Sequence, residues 1–260
     1  MRSIRDYKVW VSRRAAVALL VVVSAVSAST AFAGQFARFA HGVRSAPLRL
    51  VLAPTPPLAV PRYDTSGAYP QVRGSASTTA VNHALRQAVL DEQRSYAPSA
   101  RRAVRVNGLY RGIFQTSVVR RYLSASTGVV SALLPMRELY PGGNDGDGWI
   151  AVTVRVPSGE RVSLGQLFTD PSVALPALAG AWLGRLTDGE RTYCVVNYLA
   201  DYTPTLSHYK NYALTPEGIA VGFWQEPACE RLAAIVPYSA IRPYLSPFGQ
   251  RVVATVRAPS

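Results

Sequence analysis

The chain opens on an order of charge and hydropathy that decides where everything behind it must fold. Met1–Arg14 (MRSIRDYKVWVSRR) is basic, Ala15–Ala28 (AAVALLVVVSAVSA) is apolar, and Ala31-Phe32-Ala33 before Gly34 is a small-x-small cleavage pattern. Positive charge held on the cytoplasmic side, then a segment that enters the bilayer, then a processing site is the layout of an export signal. Residues 1–33 are therefore expected to be a signal peptide or a membrane anchor. Strongly apolar sequence ends near Val26, short of the roughly 20 residues a span needs, although Ser29–Ala33 can extend it. Cleavage is the favoured reading, and an uncleaved anchor stays open. Ser12-Arg13-Arg14-Ala15-Ala16-Val17 resembles a twin-arginine signal, and two ordinary arginines in a basic leader fit it equally well.

Export sets the redox conditions. Cys194 and Cys229 are the only cysteines, and in an oxidising compartment an even count favours a disulfide with one available pairing. A bridge closing that loop would contribute about 3–4 kcal/mol on the chain-entropy view; the alternative is two buried thiols that never meet. Losing residues 1–33 removes five basic residues and one acidic one, leaving 23 against 14 and a net charge of +9. That charge favours contact with anionic envelope polymers or lipid headgroups. Lys8 and Lys210 are the only lysines, so the surplus is arginine scattered among apolar residues, as a compositional bias would also give. No aromatic-basic motif supports nucleic-acid binding.

Residues 34–60 read as a Pro-rich tether. Pro54, Pro56, Pro57 and Pro61 fix φ and remove donors, predicting an extended, poorly ordered spacer, although Val43, Leu48, Leu50, Val51 and Leu52 offer apolar contacts to a domain. A domain follows over 61–256, with candidate lobes 61–140 and 141–256. Ser77-Thr78-Thr79 can cap a helix whose inner face is Val81, Leu85, Ala88 and Val89, with His83 outside and Pro98 ending or breaking it. Segments 108–119, 122–126 and 128–140 are rich in strand-forming residues, and Pro141–Gly148 predicts a turn. Trp149–Val156 is the clearest strand, and Arg161–Leu164 follows a Pro-Ser-Gly-Glu turn. Leu175, Leu178, Trp182 and Leu186 mark a second helix over 172–186. Strands are predicted at Gly218–Trp224, Leu232–Val236 and Val252–Val256. The expected class is α+β: a mostly antiparallel sheet with two packed helices.

Asn211–Phe223 (NYALTPEGIAVGF) and Val236–Leu245 (VPYSAIRPYL) resemble the C-terminal domain of RsiV-type proteins. Pro157–Phe168 (PSGERVSLGQLF) is similar to the same family's strand, Gly turn and Leu-x-x-Leu-Phe segment, and Tyr69–Val72 with Ala80–Asn82 to its first strand and helix. Members include lysozyme-sensing anti-sigma ectodomains, lobes attached to peptidoglycan deacetylases, and secreted mycobacterial antigens. The resemblance implies an extracytoplasmic binding module without a catalytic centre of its own. The partner it implies is an envelope protein or glycan, with a lysozyme-like protein among the candidates. Fourteen residues before the apolar segment leave no room for the cytoplasmic domain of a sensing anti-sigma factor. Many relatives carry Gly-Gly-Ala-His where this chain has Gly142-Gly143-Asn144-Asp145.

Few residues invite chemistry. Asp201, Ser207 and His208 are close enough in sequence to suggest an envelope hydrolase or deacetylase, but no Gly-x-Ser-x-Gly elbow exposes a nucleophile. Asp145 and Asp147 resemble the start of a calcium loop that Trp149 interrupts. Glu138 with Glu160, or Asp145 with Asp147, would serve glycan cleavage only at a fixed separation that sequence does not set. No metal set and no cofactor are expected, and catalytic residues are not assigned. A crowd of aromatic residues remains: Tyr193, Tyr198, Tyr202, Tyr209 and Tyr212, with His208, Lys210 and Trp224. Tyr198, Tyr202, His208, Tyr209, Tyr212 and Trp224 form the candidate binding surface, since tyrosine combines apolar area with a hydrogen-bonding tip; packing of half of them into the core is the other reading. The function expected is a non-enzymatic envelope binding protein, anchored or secreted. The alternatives are the hydrolase above and a freely secreted, host-facing antigen.

Overall fold

A strand buried on both faces organises the molecule. In the computed structural model, which describes residues 48–74, 78–106, 111–139, 146–190, 194, 202–223 and 232–257, β5 (Val129–Leu139) is buried from Val129 to Met136. It pairs along one edge with β6 (Gly146–Arg155) and along the other with β3 (Gly112–Thr116) and β4 (Leu123–Ala125). β2 (Tyr63–Arg73) lies parallel to β3, and β1 (Arg49–Pro54) closes the sheet antiparallel to β2. A parallel pair needs a crossover, which the helix α1 (Thr79–Val106) supplies. Pro135, inside β5, falls between the stretch paired with β3 (136–139) and that paired with β4 (130–132). Its missing N–H breaks no ladder there, and its carbonyl accepts from Ser117 N–H at 2.9 Å.

The two faces of the β5–β6 hairpin serve different cores. Val130, Ala132, Leu134 and Met136, with Ile150, Val152 and Val154, pack against Val81, Leu85, Ala88 and Val89 of α1. The predicted inner face of that helix is therefore the observed one, and His83 is exposed. On the other face, Leu133 and Trp149 meet Ala213 and Ala220 of a second, three-stranded sheet. Its strands are β7 (Tyr212–Leu214), β8 (Gly218–Phe223) and β9 (Leu232–Pro237), all antiparallel. A Cβ on Gly222 would lie 2.7 Å from the Trp149 indole, so only glycine lets β8 approach that closely. Behind this sheet pack α2 (Pro171–Leu183) and, after the three-residue α3 (Asp188–Glu190), α4 (Tyr238–Ile241) and α5 (Pro247–Arg257). The class is α+β, with a mixed sheet and five α-helices among the described residues.

Polar groups between the sheets are matched. The free edge of β7 is met by side chains: Leu214 N–H donates to Ser131 Oγ at 2.7 Å, and Ser124 Oγ donates to Leu214 O at 2.6 Å. Ser131 also shares a 2.6 Å bond with Thr153, and both are buried. Ser131→Ala strands a buried N–H and a buried hydroxyl together. We expect a loss of about 1–3 kcal/mol, read as a lower urea midpoint at unchanged m-value.

Several expectations are corrected. Pro98 does not end the first helix: Tyr96, Ala97 and Ala100 continue its buried face, so burial outweighs one lost helical bond, and Pro98 itself is exposed. The last element is a helix, not a strand, because Val252, Val253 and Val256 bury one helical face. The presumed tether is structured in its second half: β1 joins the sheet, and Leu58 and Val60 are core residues. The described residues all lie within one compact unit, Ser45–Ser260, and the boundary at 140/141 cuts between two paired strands. The turn begins to close earlier than predicted, with Gly146-Asp147-Gly148 already in β6. Residues 1–33, most of the tether and 141–145 lie outside the described residues.

Candidate functional site

The tyrosine-rich stretch folds inward. Tyr202, Tyr209 and Tyr212 are buried, which corrects their assignment to a binding surface. Phe223 of β8 is the hub: Trp182, Tyr209 and Tyr202 approach it with ring centroids at 4.6, 4.9 and 5.0 Å, and Tyr202 stacks on Trp182 at 5.5 Å. Such a cluster gains area burial and favourable ring geometry together. Tyr212 donates its hydroxyl to Val162 O at 2.5 Å, and burial pushes the Tyr209 and Tyr212 phenols far above their ordinary range. Tyr198, Trp224 and Cys229 lie outside the described residues, whereas Cys194 is buried in the same core.

Of the predicted residues, His208 stays half-exposed on the short 3-10 turn His208–Lys210. Its Nδ1 lies 2.9 Å from Thr203 O, and the Ser207 hydroxyl bonds Thr205 Oγ1 at 2.9 Å. Ser207 and His208 therefore turn to other partners rather than to one another, and Asp201 lies outside the described residues. Asp147 pairs with Arg137 at 3.8 Å, and Glu160 with Arg155 at 3.1 Å. Among the described residues, no three His, Cys, Asp or Glu side chains are grouped to hold a metal ion.

What the fold does build beside this turn is a groove of about 300 Å³. Ala151 and Thr153 of β6 line it with Tyr212; Arg161–Gly165 form one wall, and Leu206 with Lys210 the other. The Arg161 wall is fixed by a 3-10 turn, Leu164–Leu167, closed by a capping box in which Gln166 Oε1 accepts from Ser163 N–H at 2.7 Å. Leu206 is 45% exposed, and a Cβ on Gly165 would sit 3.3 Å from it, so the leucine leans over the groove against that glycine. The cations differ. Arg161 is tied to Asp91 of α1 at 2.9 Å, while Lys210 is exposed. Burial pushes the half-buried Glu92 carboxyl up, against the opposing pull of the Lys210 charge. Burial also works against Asp91, but its bonds from Gln87, Arg94 and Arg161 outweigh that and hold it below the usual carboxylate range. The result is an apolar trough with a basic lip.

Sequence reasoning missed Arg161 and Leu206 altogether. Their signals were faint: Leu206 is an isolated apolar residue in a polar loop, and Lys210 is the one lysine behind the leader.

No protein-family model matches the chain, and no curated protein sequence matches it. Among solved structures it is similar to a member of the DUF3298 family from Bacteroides fragilis, at 11% identity and a TM-score of 0.48, over 83% of this chain and 99% of that one. It is also similar to a DUF3298 family protein from Pseudomonas aeruginosa, at 13% identity and a TM-score of 0.49, over 78% of this chain and 95% of that one.

Proposed function

We propose that the chain is an exported cell-envelope protein whose α+β domain, RsiV-like in its C-terminal motifs, binds a protein or glycan partner without transforming it. The basic-then-apolar start and the motif resemblance support the envelope setting. The observation that carries the binding reading is the groove: a nearly half-exposed leucine over an apolar floor, flanked by a solvated lysine. Such a leucine is an anchor for a partner's apolar group, and the lysine orients an acidic or hydroxylated neighbour. The buried tyrosines stiffen the wall behind it. In this reading Cys194 and Cys229 are joined, which fixes the loop between them after export.

The test is titration of the exported protein, purified from cells expressing the full chain, with lysozyme and with purified peptidoglycan. We expect saturable binding to one of them. Leu206→Glu should weaken it about tenfold without lowering the thermal midpoint, because the side chain is already half in water. Failure of both ligands to saturate would sink the proposal. A non-reducing digest of the same material should yield one peptide linking Cys194 to Cys229; two free thiols would remove the oxidising compartment from the reading.

A further inference from the structure

A second groove shares no lining residue with the first. It lies where Pro57-Leu58-Ala59 runs along α1 and encloses about 250 Å³. Its helix wall is Gln87, Leu90, Arg94, Ala97 and Arg101, a spacing of three and four that keeps all five on one side of α1. The opposite wall is firmly held: Leu58 is buried, and Gln93 Nε2 donates to Pro56 O at 2.7 Å.

Three features of this groove await a counterpart. Gln93 is only 3% exposed and lines the groove, yet its single hydrogen bond uses the amide nitrogen. The Oε1 acceptor, which no described residue engages, is left for a donor entering from outside. Leu58, Leu90 and Ala97 present apolar surface. On the rim, Arg94 is held by Asp91, whereas Arg101 is exposed and has no ion pair or hydrogen bond with any described residue. Asp91 already accepts from Gln87, Arg94 and Arg161, so it has little charge to lend. Arg102 and Arg105 continue the uncompensated positive surface one turn further.

We propose that this groove docks a short acidic peptide segment of a partner protein. A backbone N–H would donate to Gln93 Oε1, an apolar side chain would rest on Leu58, Leu90 and Ala97, and two carboxylates would meet Arg94 and Arg101. The spacing agrees. Seven residues of helix separate the two arginines by about 10.5 Å. A polyproline-type segment returns every third side chain to the same face after about 9.3 Å. The recognised pattern is acidic, apolar, any residue, acidic. A sugar chain would place hydroxyl groups, not a single amide donor, over an aliphatic floor that contains no aromatic ring.

The experiment is fluorescence anisotropy of dye-labelled Glu-Leu-Pro-Glu amide with the exported protein. We expect saturable binding below millimolar concentration. Arg101→Glu should weaken it about tenfold, and so should replacing both peptide glutamates by glutamine. Arg251→Glu makes the same charge change at an exposed position of α5 and should leave binding within about twofold. Equal weakening by Arg251→Glu would reduce the effect to net charge and overturn the proposal. So would the absence of saturation, or equally tight binding of tetragalacturonate, which carries carboxylates but no peptide. Arg101 and Arg251 are both exposed and unpaired among the described residues, so neither variant threatens folding.

Discussion

Trp182→Ala should cost the protein about 3–5 kcal/mol, the range for emptying a fully buried aromatic site. Trp182 has no exposed surface, stacks on Tyr202, and tilts against Phe223 at 4.6 Å. Its indole N–H also donates to Val221 O at 3.1 Å, fastening α2 to the middle strand of the second sheet. Truncation therefore opens a cavity and leaves a buried carbonyl short of a donor. Against a total stability of about 5–15 kcal/mol, such a loss displaces the denaturation midpoint by a large fraction of its value. Trp182→Phe keeps the ring area and removes only the donor, so it should cost about 1–2 kcal/mol. Urea unfolding followed by circular dichroism distinguishes them. Near-equal losses for the two variants would show that the hydrogen bond, not the packing, is what the tryptophan contributes.

Gly249→Ala is expected to have the next largest effect, about 3 kcal/mol, at the severe end of overpacking. The added carbon would lie 2.1 Å from Leu167 O and within 3.0 Å of two further backbone atoms of that residue. Nothing flexible can yield. Leu167 O is held by Ser246 N–H at 2.9 Å, and Ser246 Oγ holds Gln166 O at 2.9 Å. The start of α5 is thus clamped to the 3-10 turn that forms one wall of the first groove, so the variant should lose ligand binding along with stability. Gly180→Ala provides the contrast. It lies in α2 with open space around it, so alanine should stabilise by about 0.5–1 kcal/mol. Thermal melts of the two variants should move in opposite directions.

These sites show where sequence was legible. Repeated apolar spacing over two to three turns identified α1 and the buried residues of α2, and runs rich in strand-forming residues identified β5, β6 and β8. The misreadings came from short windows. Val252-Val253-Ala254-Thr255-Val256 satisfies alternation as well as helical spacing, and only the preceding Ser246-Pro247 start, with Ser246 Oγ accepting from Gly249 N–H at 2.9 Å, favours the helix. Pro98 misled because the cost of a proline is local while the face it interrupts is long. The tyrosines carried no indication of direction. Tyr202, Tyr209 and Tyr212 have the same composition whether they face water or the core, and their placement depends on partners outside their own stretch, Trp182 for Tyr202 and Val162 for Tyr212. Both grooves were illegible for a related reason. Each joins residues distant in sequence, Arg161 with Leu206 and Leu58 with Leu90, and neither pair follows a spacing rule.

The hairpin of β5 and β6 is a party wall: each of its faces is the inner lining of a different room. Neither room can be dismantled while the other stands, since the same backbone would have to be both ordered and free. Opening is consequently expected to be all-or-none, so that a protease meets either the closed molecule or the rare fully open one.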